Sequence, residues 1–150
     1  MTRFRFQLDT LLRLRRSERD ERRAALAQAY RAEEILEHQR RQLEEALQQL
    51  GRQCRQAAGP GPVDVERLLD ARRYEVVLRS QADQLAQQRR AVEEEIDQRR
   101  RALVEADRAV RVLEKLKQRG YERFRREENR REIRLLDEMA SRRTVEGTTG

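Results

Sequence analysis

The sequence has few of the residues that interrupt helices or build a large core. Its 150 residues include two prolines, six glycines and no tryptophan, and aromatic residues make up only 4%. A compact globular domain of this length normally holds more apolar side chains, so a large core is not expected. The abundant alanine, leucine, glutamine, glutamate and arginine instead predict long helices that bury a narrow apolar stripe.

Cysteine and histidine are almost absent. Cys54 has no second cysteine to pair with, which excludes an internal disulfide, and His38 has no companions at the spacing of a zinc site. The sequence also contains no glycine-rich phosphate loop and no nucleophile beside a base. We therefore predict no enzyme activity, no catalytic residue, no metal site and no cofactor.

Long apolar runs are missing too. No stretch approaches the roughly 20 apolar residues of a membrane span, and the amino-terminal segment lacks the apolar run of a signal peptide. We expect a cytoplasmic chain that does not insert directly into a membrane.

Charge, in contrast, is plentiful. Charged residues make up 42% of the chain, with 35 basic and 28 acidic side chains and a formal charge of +7. Residues 1–57 carry 13 basic and 9 acidic side chains, residues 58–98 carry 6 and 9, and residues 99–150 carry 16 and 10. This distribution suits nucleic acid, anionic lipid or an acidic protein as a partner, or is chance asymmetry on a solvated surface. Glutamates interleaved with the arginines break a continuous basic track, so we expect no nucleic-acid binding.

One segment is able to stop a helix. In AAGPGPVD, residues 57–64, alternating glycine and proline combine free backbone rotation with fixed φ and missing N–H donors. Asp64 then offers an N-cap for the next helix. We predict a single domain with helix 1 over about residues 3–57, a tip at 58–63, helix 2 over about 64–143 and a disordered tail at 144–150.

Apolar or small residues recur in steps of three, four or seven on both sides of this tip. Two helices with one stripe each are most simply an antiparallel coiled-coil hairpin, in which the stripes bury against each other. The predicted fold class is therefore all-α, with a second helix longer than the first. If pairing is symmetric about the tip, residues beyond Arg119 overhang helix 1. The stripe residues are Leu36, Leu43, Leu47, Leu50, Cys54 and Ala57 before the tip and Leu78, Ala82, Leu85, Val92, Ile96, Leu103, Ala106, Val110, Leu113 and Phe124 after it.

Charged residues interrupt these stripes. Their long side chains must reach past the helix pair toward water, which predicts a marginally stable hairpin that stiffens on binding a partner. The alternative is that flanking positions supply compensating charges. The interrupting residues are Arg19, Arg22, Glu33, Arg40, Arg89, Arg99 and Lys117.

The opening MTRFRFQLDTLLRLRR is compatible with a failed signal peptide, a short alternating strand or a helix start, and the hairpin favours the helix. Folding back places Phe4 and Phe6 near Tyr121 and Phe124. In one interpretation these rings seal the open end of the hairpin. In the other, Phe4 and Phe6 are left over as anchors for a protein partner with an acidic surface, because arginines surround them.

Motifs at both ends resemble those of one known family. The amino-terminal FRFQLDTLLRLRRSERDE and the carboxy-terminal NRREIRLLDEMASRR, with Tyr74 and Leu78 four residues apart after the tip, resemble the flagellar export protein FliJ family across essentially the whole chain. The resemblance implies an antiparallel coiled coil of the flagellar type III export apparatus, similar to the shaft subunit of rotary ATPases. The partners it implies are a hexameric export ATPase, the membrane export gate at the inner membrane, and export chaperones.

The resemblance also implies contact residues for two of these partners. The end of the hairpin that holds both termini would enter the pore of the ATPase, and a stripe nearer the tip would contact the gate. The ATPase-facing residues would be Phe4, Phe6, Leu8, Leu11, Leu12, Arg130, Asp137 and Glu138. The gate-contacting residues would be Tyr74, Leu78, Gln81 and Leu85, in a region where Val76 and Val77 add a small apolar patch.

Three other classes of protein stay open at this point. The first is the equivalent stalk of a virulence-type secretion system, although the phenylalanine opening and the LDE ending favour the flagellar branch. The second is a basic coiled coil that binds nucleic acid. The third is a structural coiled coil that dimerises through residues 120–143.

Overall fold

The computed structural model describes residues 2–148 and consists of two helices. Helix α1 spans Asp9–Ala57 and helix α2 spans Val65–Thr148, and residues 2–148 contain no strand. The predicted all-α hairpin with a longer second helix is confirmed. The helices contribute to two compact units: unit 1 holds the residues up to Asp20 with those from Glu105 onward, and unit 2 holds Glu21–Val104.

In unit 1 the helices run antiparallel around a small core. Leu12 and Val110 are fully buried and Leu113 is 7% exposed, while Phe6 and Leu11 pack against them and are partly buried. Two ion pairs flank this core across the helices, from Lys117 to Asp9 at 3.1 Å and from Arg16 to Glu114 at 3.2 Å. The predicted stripe positions Val110 and Leu113 are thus confirmed.

Unit 2 repeats the arrangement with its own buried residues. Cross-helix contacts again run antiparallel: the Arg99 guanidinium donates to the Ala25 carbonyl, and Arg89 lies 3.7 Å from Glu37. Four predicted stripe residues lie in this core. The buried residues are Leu50, Leu78, Leu85 and Ile96, together with Ala29, which lies before the first predicted stripe position.

Five of the seven charged interruptions of the stripe have hydrogen-bond or ion-pair partners, and three of them show the pattern. Arg40 pairs with Glu37 and Glu44, Arg99 pairs with Glu95, and Lys117 bonds to Asp9. Residues 2–148 contain no buried side-chain nitrogen or oxygen atom without a hydrogen-bond partner. These contacts favour the interpretation in which neighbouring positions compensate the charges.

The tip ends one helix and caps the next. The Ala58 N–H donates to the Cys54 carbonyl at 3.1 Å, and Gly61 adopts a φ of +155° that other residues rarely reach. Asp64 then accepts a hydrogen bond from the Arg67 N–H at 3.2 Å through its side chain. The predicted N-cap is therefore confirmed, and α2 begins at the next residue, Val65.

The start of α1 differs from the prediction, because residues 2–8 are not helical and α1 begins at Asp9. Phe4 and Phe6 are half-buried, whereas Arg3, Arg5 and Gln7 are exposed. This alternation is a period of two, which puts both rings on one side of an extended chain but on opposite sides of a helix. Burial of both rings against α2 therefore favours the extended conformation.

This extended segment also changes where the overhang begins. The Thr2 hydroxyl donates to Glu128 and the Lys117 ammonium donates to Asp9, so residues 2–9 lie beside residues 117–128 of α2. An extended chain rises about 3.3 Å per residue against about 1.5 Å for a helix, which lets a few residues cover this length. The unpaired end of α2 therefore starts after Glu128 and not after Arg119.

The end of α2 also differs from the prediction. Residues 144–148, expected to be disordered, continue the helix to Thr148, and the rest of the expected tail lies outside the described residues. The hydroxyl of Ser141 donates to the Asp137 carbonyl at 2.8 Å, and that of Thr144 donates to the Ala140 carbonyl at 3.2 Å. These polar side chains bond within the helix, and no proline follows to stop it.

We expect Leu12→Ala to lower the free energy of unfolding of the chain by about 2–4 kcal/mol, because it removes a fully buried side chain and leaves a cavity. Leu14→Ala is the matched control, since Leu14 lies on the same helix and is 53% exposed, and it should change that free energy by less than about 0.5 kcal/mol. Urea unfolding followed by circular dichroism measures both. Equal effects of the two variants would contradict the assigned core of unit 1.

Candidate partner-binding surfaces

The eight residues predicted to face the ATPase all lie in unit 1, but they differ in exposure. Leu8 is 41% exposed, Leu11 is half-buried and Leu12 is fully buried, so Leu12 supports the packing and has no surface to offer a partner. The charged residues on α2 are fully available. Arg130, Asp137 and Glu138 are all exposed.

Phe4 and Phe6 are not free anchors. The Phe4 ring lies 5.6 Å from the Tyr121 ring in an edge-to-face arrangement and 5.7 Å from the Phe124 ring. The Phe4 ring lies over Gly120 of α2, since a Cβ atom added to this glycine would stand 3.4 Å from Cζ of Phe4, at ordinary van der Waals distance. The prediction that Phe4 and Phe6 are left over is wrong, and the interpretation that the rings seal the end of the helix pair is supported.

Basic groups surround the point where α1 begins. A depression of about 930 Å³ is lined by Phe4 and Phe6 and by four cationic side chains. The Lys117 ammonium donates to the Asp9 carboxylate and, with Arg13 also close, keeps the pKa of Asp9 below its ordinary value. The surroundings of the two rings are therefore positive. The cations are Arg3, Arg5, Arg13 and Lys117.

The last part of α2 has no helix beside it in unit 1. Every residue from 129 to 148 is exposed, and this stretch carries several large apolar side chains that the sequence analysis did not single out. The sequence does indicate them, because they are apolar residues in the part of helix 2 that extends beyond the last position α1 could cover. We call residues 129–148 the unpaired end; its exposed apolar residues include Ile133 at 58%, Leu135 at 59%, Leu136 at 65% and Met139 at 64%.

The four residues predicted to contact the gate come together in unit 2. Tyr74, Leu78, Gln81 and Leu85 all line one shallow groove of about 420 Å³ between α1 and α2. Leu78 and Leu85 are 3% and 6% exposed and belong to its floor, whereas Tyr74 is 52% exposed.

The rim of this groove is rich in glutamine. Amide side chains from both helices surround the leucine floor, so hydrogen-bond donors and acceptors are present without charge. Of these glutamines, only Gln81 was predicted. Helical spacing from Gln81 indicates the other two on α2, whereas those on α1 join the groove only because the helices pair. The added residues are Gln39, Gln42, Gln84 and Gln88.

A second polar centre of unit 2 surrounds Glu37. Its carboxylate accepts hydrogen bonds from Arg40, the shortest at 2.8 Å, and lies within 4 Å of Arg41 and Arg89 as well. The Arg40 hydrogen bond, helped by the three positive charges, lowers the pKa of Glu37 from 4.5 to about 2. Because Arg89 belongs to α2, this carboxylate links the two helices.

Neither a metal-ligand cluster nor a membrane-spanning helix occurs in the described range. Residues 2–148 contain no group of three or more His, Cys, Asp or Glu side chains arranged to hold a metal ion. Neither α1 nor α2, over the same range, is long and apolar enough to cross a bilayer.

These features define a coiled-coil hairpin protein, a class that presents helix surfaces and grooves to other macromolecules. The family model for the flagellar FliJ protein matches residues 4–147 of the 150-residue chain, so the chain belongs to the FliJ family. It is accordingly a coiled-coil protein associated with flagellar export. No curated protein and no solved structure matches the chain significantly.

The Glu37 contacts predict a pH dependence. Because the pKa of Glu37 is lower in the folded state, its contribution to stability is fully present above about pH 4.5 and is lost as the pH falls toward 2. NMR titration of the Glu37 carboxyl should give a midpoint near 2. Arg40→Gln should raise this midpoint, because it removes the main hydrogen-bond donor. Arg52→Gln, an exposed change on the same helix, should leave it in place. A midpoint near 4.5 in the unchanged protein would contradict the arrangement.

Proposed function

We propose that this chain is the cytoplasmic stalk of the flagellar type III export apparatus, with unit 1 docking on the hexameric export ATPase and unit 2 docking on the membrane export gate. The observation that carries the first contact is the unpaired end of α2. Large apolar side chains, among them Leu135, Leu136 and Met139, stand exposed there on a helix that nothing covers within unit 1. A helix end of this kind becomes stable when a partner buries its apolar side chains.

The rest of unit 1 suits a partner with an acidic surface. Arg3, Arg5 and Arg13 stand around the half-buried rings of Phe4 and Phe6, and Arg130 is exposed on the unpaired end. Positive groups of this kind speed encounter with a negatively charged pore and set orientation, while the apolar side chains provide affinity. Phe4, Phe6 and Leu12 then act indirectly, by holding residues 2–8 against α2. Asp137 and Glu138 would orient the helix against basic groups of the ATPase.

The second contact rests on the glutamine-rimmed groove. Tyr74 stands half-exposed at a groove whose floor is Leu78 and Leu85 and whose rim includes Gln81. Tyrosine combines a large apolar ring with a hydrogen-bonding hydroxyl, which makes it a frequent hot spot in protein interfaces. We assign the gate contact to Tyr74 and Gln81, with the two leucines as its apolar floor. We include escort of export chaperones in the same proposal. It is supported by membership of the family, and we assign no surface of the chain to it.

The family match to flagellar proteins favours a flagellar over a virulence-type export machine. A purely structural coiled coil is the remaining alternative, because the unpaired end could also bury its apolar side chains against a second copy of the chain.

The ATPase contact predicts the effect of a double variant in the unpaired end. Leu136→Ser with Met139→Ser should weaken binding to the hexameric flagellar export ATPase of the same organism by about tenfold or more, because two exposed apolar side chains are lost from the interface. Biolayer interferometry measures the affinity. Leu69→Ser is the control, since Leu69 is 52% exposed in unit 2 and should have no effect on this binding.

Two results would contradict the ATPase contact. One is unchanged ATPase binding by the double variant while circular dichroism shows intact helices. The other is a self-associating chain that the double variant converts to a monomer in sedimentation equilibrium, with ATPase binding unaffected. The second result would identify the unpaired end as a dimer interface.

The gate contact predicts a difference between two neighbouring residues. Tyr74→Ala should weaken binding to the cytoplasmic domain of the export gate by about tenfold or more, since it removes the aromatic ring at the groove. Val76→Ala, two residues away and 68% exposed, should bind as the unchanged protein does, because Val76 does not line the groove. Neither change should alter ATPase binding. Equal effects of both changes on gate binding would argue against the groove as the site.

A further inference from the structure

Unit 1 carries a line of positive charge along α2. The sequence of unit 1 contains 19 basic and 13 acidic side chains, against 16 and 15 in unit 2. Six of the basic residues follow one another in steps of four, four, three, four and four, and all six are exposed. We call this set the basic stripe: Lys115, Arg119, Arg123, Arg126, Arg130 and Arg134.

The basic stripe lies on the face of α2 that points away from α1. Leu113 and Lys117 face α1 and Phe124 faces Phe4 in the segment before α1. Stripe residues follow each of the three by two positions, which is about 200° around a helix. At 1.5 Å per residue the stripe is about 28 Å long. Within residues 2–148 none of its six side chains has a hydrogen-bond or ion-pair partner.

The acidic residues of this stretch mostly occupy other faces. Glu114 pairs with Arg16 of α1, and Glu128 accepts a hydrogen bond from Thr2. Glu122, which accepts from Gln118, and Glu127 lie at the edges of the stripe. The expectation that interleaved glutamates interrupt any basic track is therefore wrong for this helix face, because helical periodicity separates charges that alternate along the sequence.

Apolar side chains on the same face indicate which polyanion it fits. Val112 is 58% exposed, Leu116 is 44% exposed and Ile133 is 58% exposed, and all three lie within the angular range of the stripe. The outer surface of a nucleic-acid duplex is a charged phosphate backbone, and aliphatic side chains add little binding free energy there. The interface of an anionic bilayer binds both basic and aliphatic side chains. The basic groups contact the lipid phosphates, and the aliphatic groups lie deeper, near the acyl chains.

Shape favours the same partner. The stripe occupies one convex face of a helix. Such a face can contact a flat surface along the full length of the stripe, and no concave binding site is needed. Long arginine side chains also reach phosphates while their methylene stems stay near apolar groups.

From these observations we infer that the basic stripe of α2 adsorbs on the surface of an anionic phospholipid bilayer, with Val112, Leu116 and Ile133 entering the headgroup region. This is surface binding without insertion of a helix across the bilayer. The inference does not depend on the proposed ATPase contact, although Arg130 and Ile133 belong to both surfaces and the two partners would compete there.

The test is sedimentation of the full chain with vesicles of phosphatidylcholine and phosphatidylglycerol, compared with vesicles of phosphatidylcholine alone. We expect binding to the anionic vesicles only, falling as salt is raised. Arg119→Gln, Arg123→Gln and Arg126→Gln together should weaken it about 100-fold, since each basic side chain near an anionic surface contributes about fivefold. These three residues lie outside the proposed ATPase and gate contacts, so the variant should keep its affinity for both proteins.

A matched triple variant controls for net charge. Arg125→Gln, Arg131→Gln and Arg142→Gln remove the same charge from other faces of α2 and should weaken vesicle binding far less. Loss of vesicle binding to the same extent in both triple variants would overturn the assigned face. So would an absence of binding to anionic vesicles by the unchanged chain.

A second variant separates the bilayer from other polyanions. Leu116→Ser with Ile133→Ser should weaken vesicle binding severalfold and leave binding to a short DNA duplex or a polyglutamate peptide unchanged. If the duplex or the peptide is bound more tightly per anionic group than the vesicles, and the stripe variant abolishes that binding, the partner is a nucleic acid or an acidic protein and the inference fails.

Discussion

The structure depends on the burial of one narrow apolar stripe of α1 against one of α2. Neither helix has a second apolar face large enough to form a core, so each is held mainly by the other. Leu12 against Val110 and Leu113 in unit 1, and Leu50, Leu78 and Leu85 in unit 2, are almost the whole apolar interior. Cross-helix polar contacts such as that of Arg99 with the Ala25 carbonyl add to this thin core.

Because each helix buries only one narrow stripe, most of its surface remains exposed. In unit 2, helix pairing creates a groove in which Tyr74 stands above a leucine floor with glutamines around it. In unit 1, α2 continues past the last contact with residues 2–8 and presents an unpaired end and a basic stripe on its outer face. Each unit thus offers its own candidate surface for the partners proposed above, although the chain has only two helices.

Much of the fold could be predicted from residue pattern. The Gly-Pro-Gly-Pro segment, the Asp64 cap and the stepping of Leu78, Leu85 and Ile96 are local signals, and each lies where the sequence indicates. The candidate surfaces were harder to predict. Tyr74 and the leucines of the groove were identified, but the glutamines from α1 were not, because residues far apart in the sequence become neighbours only when the helices pair.

By itself, the sequence determined the all-α hairpin, its tip and the apolar stripes. The tip follows from the glycine and proline residues, and the stripes follow from the regular spacing of apolar residues along the chain. Tertiary structure alone decided the conformation of residues 2–8, the burial of Phe4 and Phe6, and the start of the unpaired end at residue 129. The physical reason is that the local pattern FRF permits both a helix and an extended chain. Only the available surface of α2, with Gly120 beneath Phe4 and Glu128 opposite Thr2, makes the extended form the one that buries both rings.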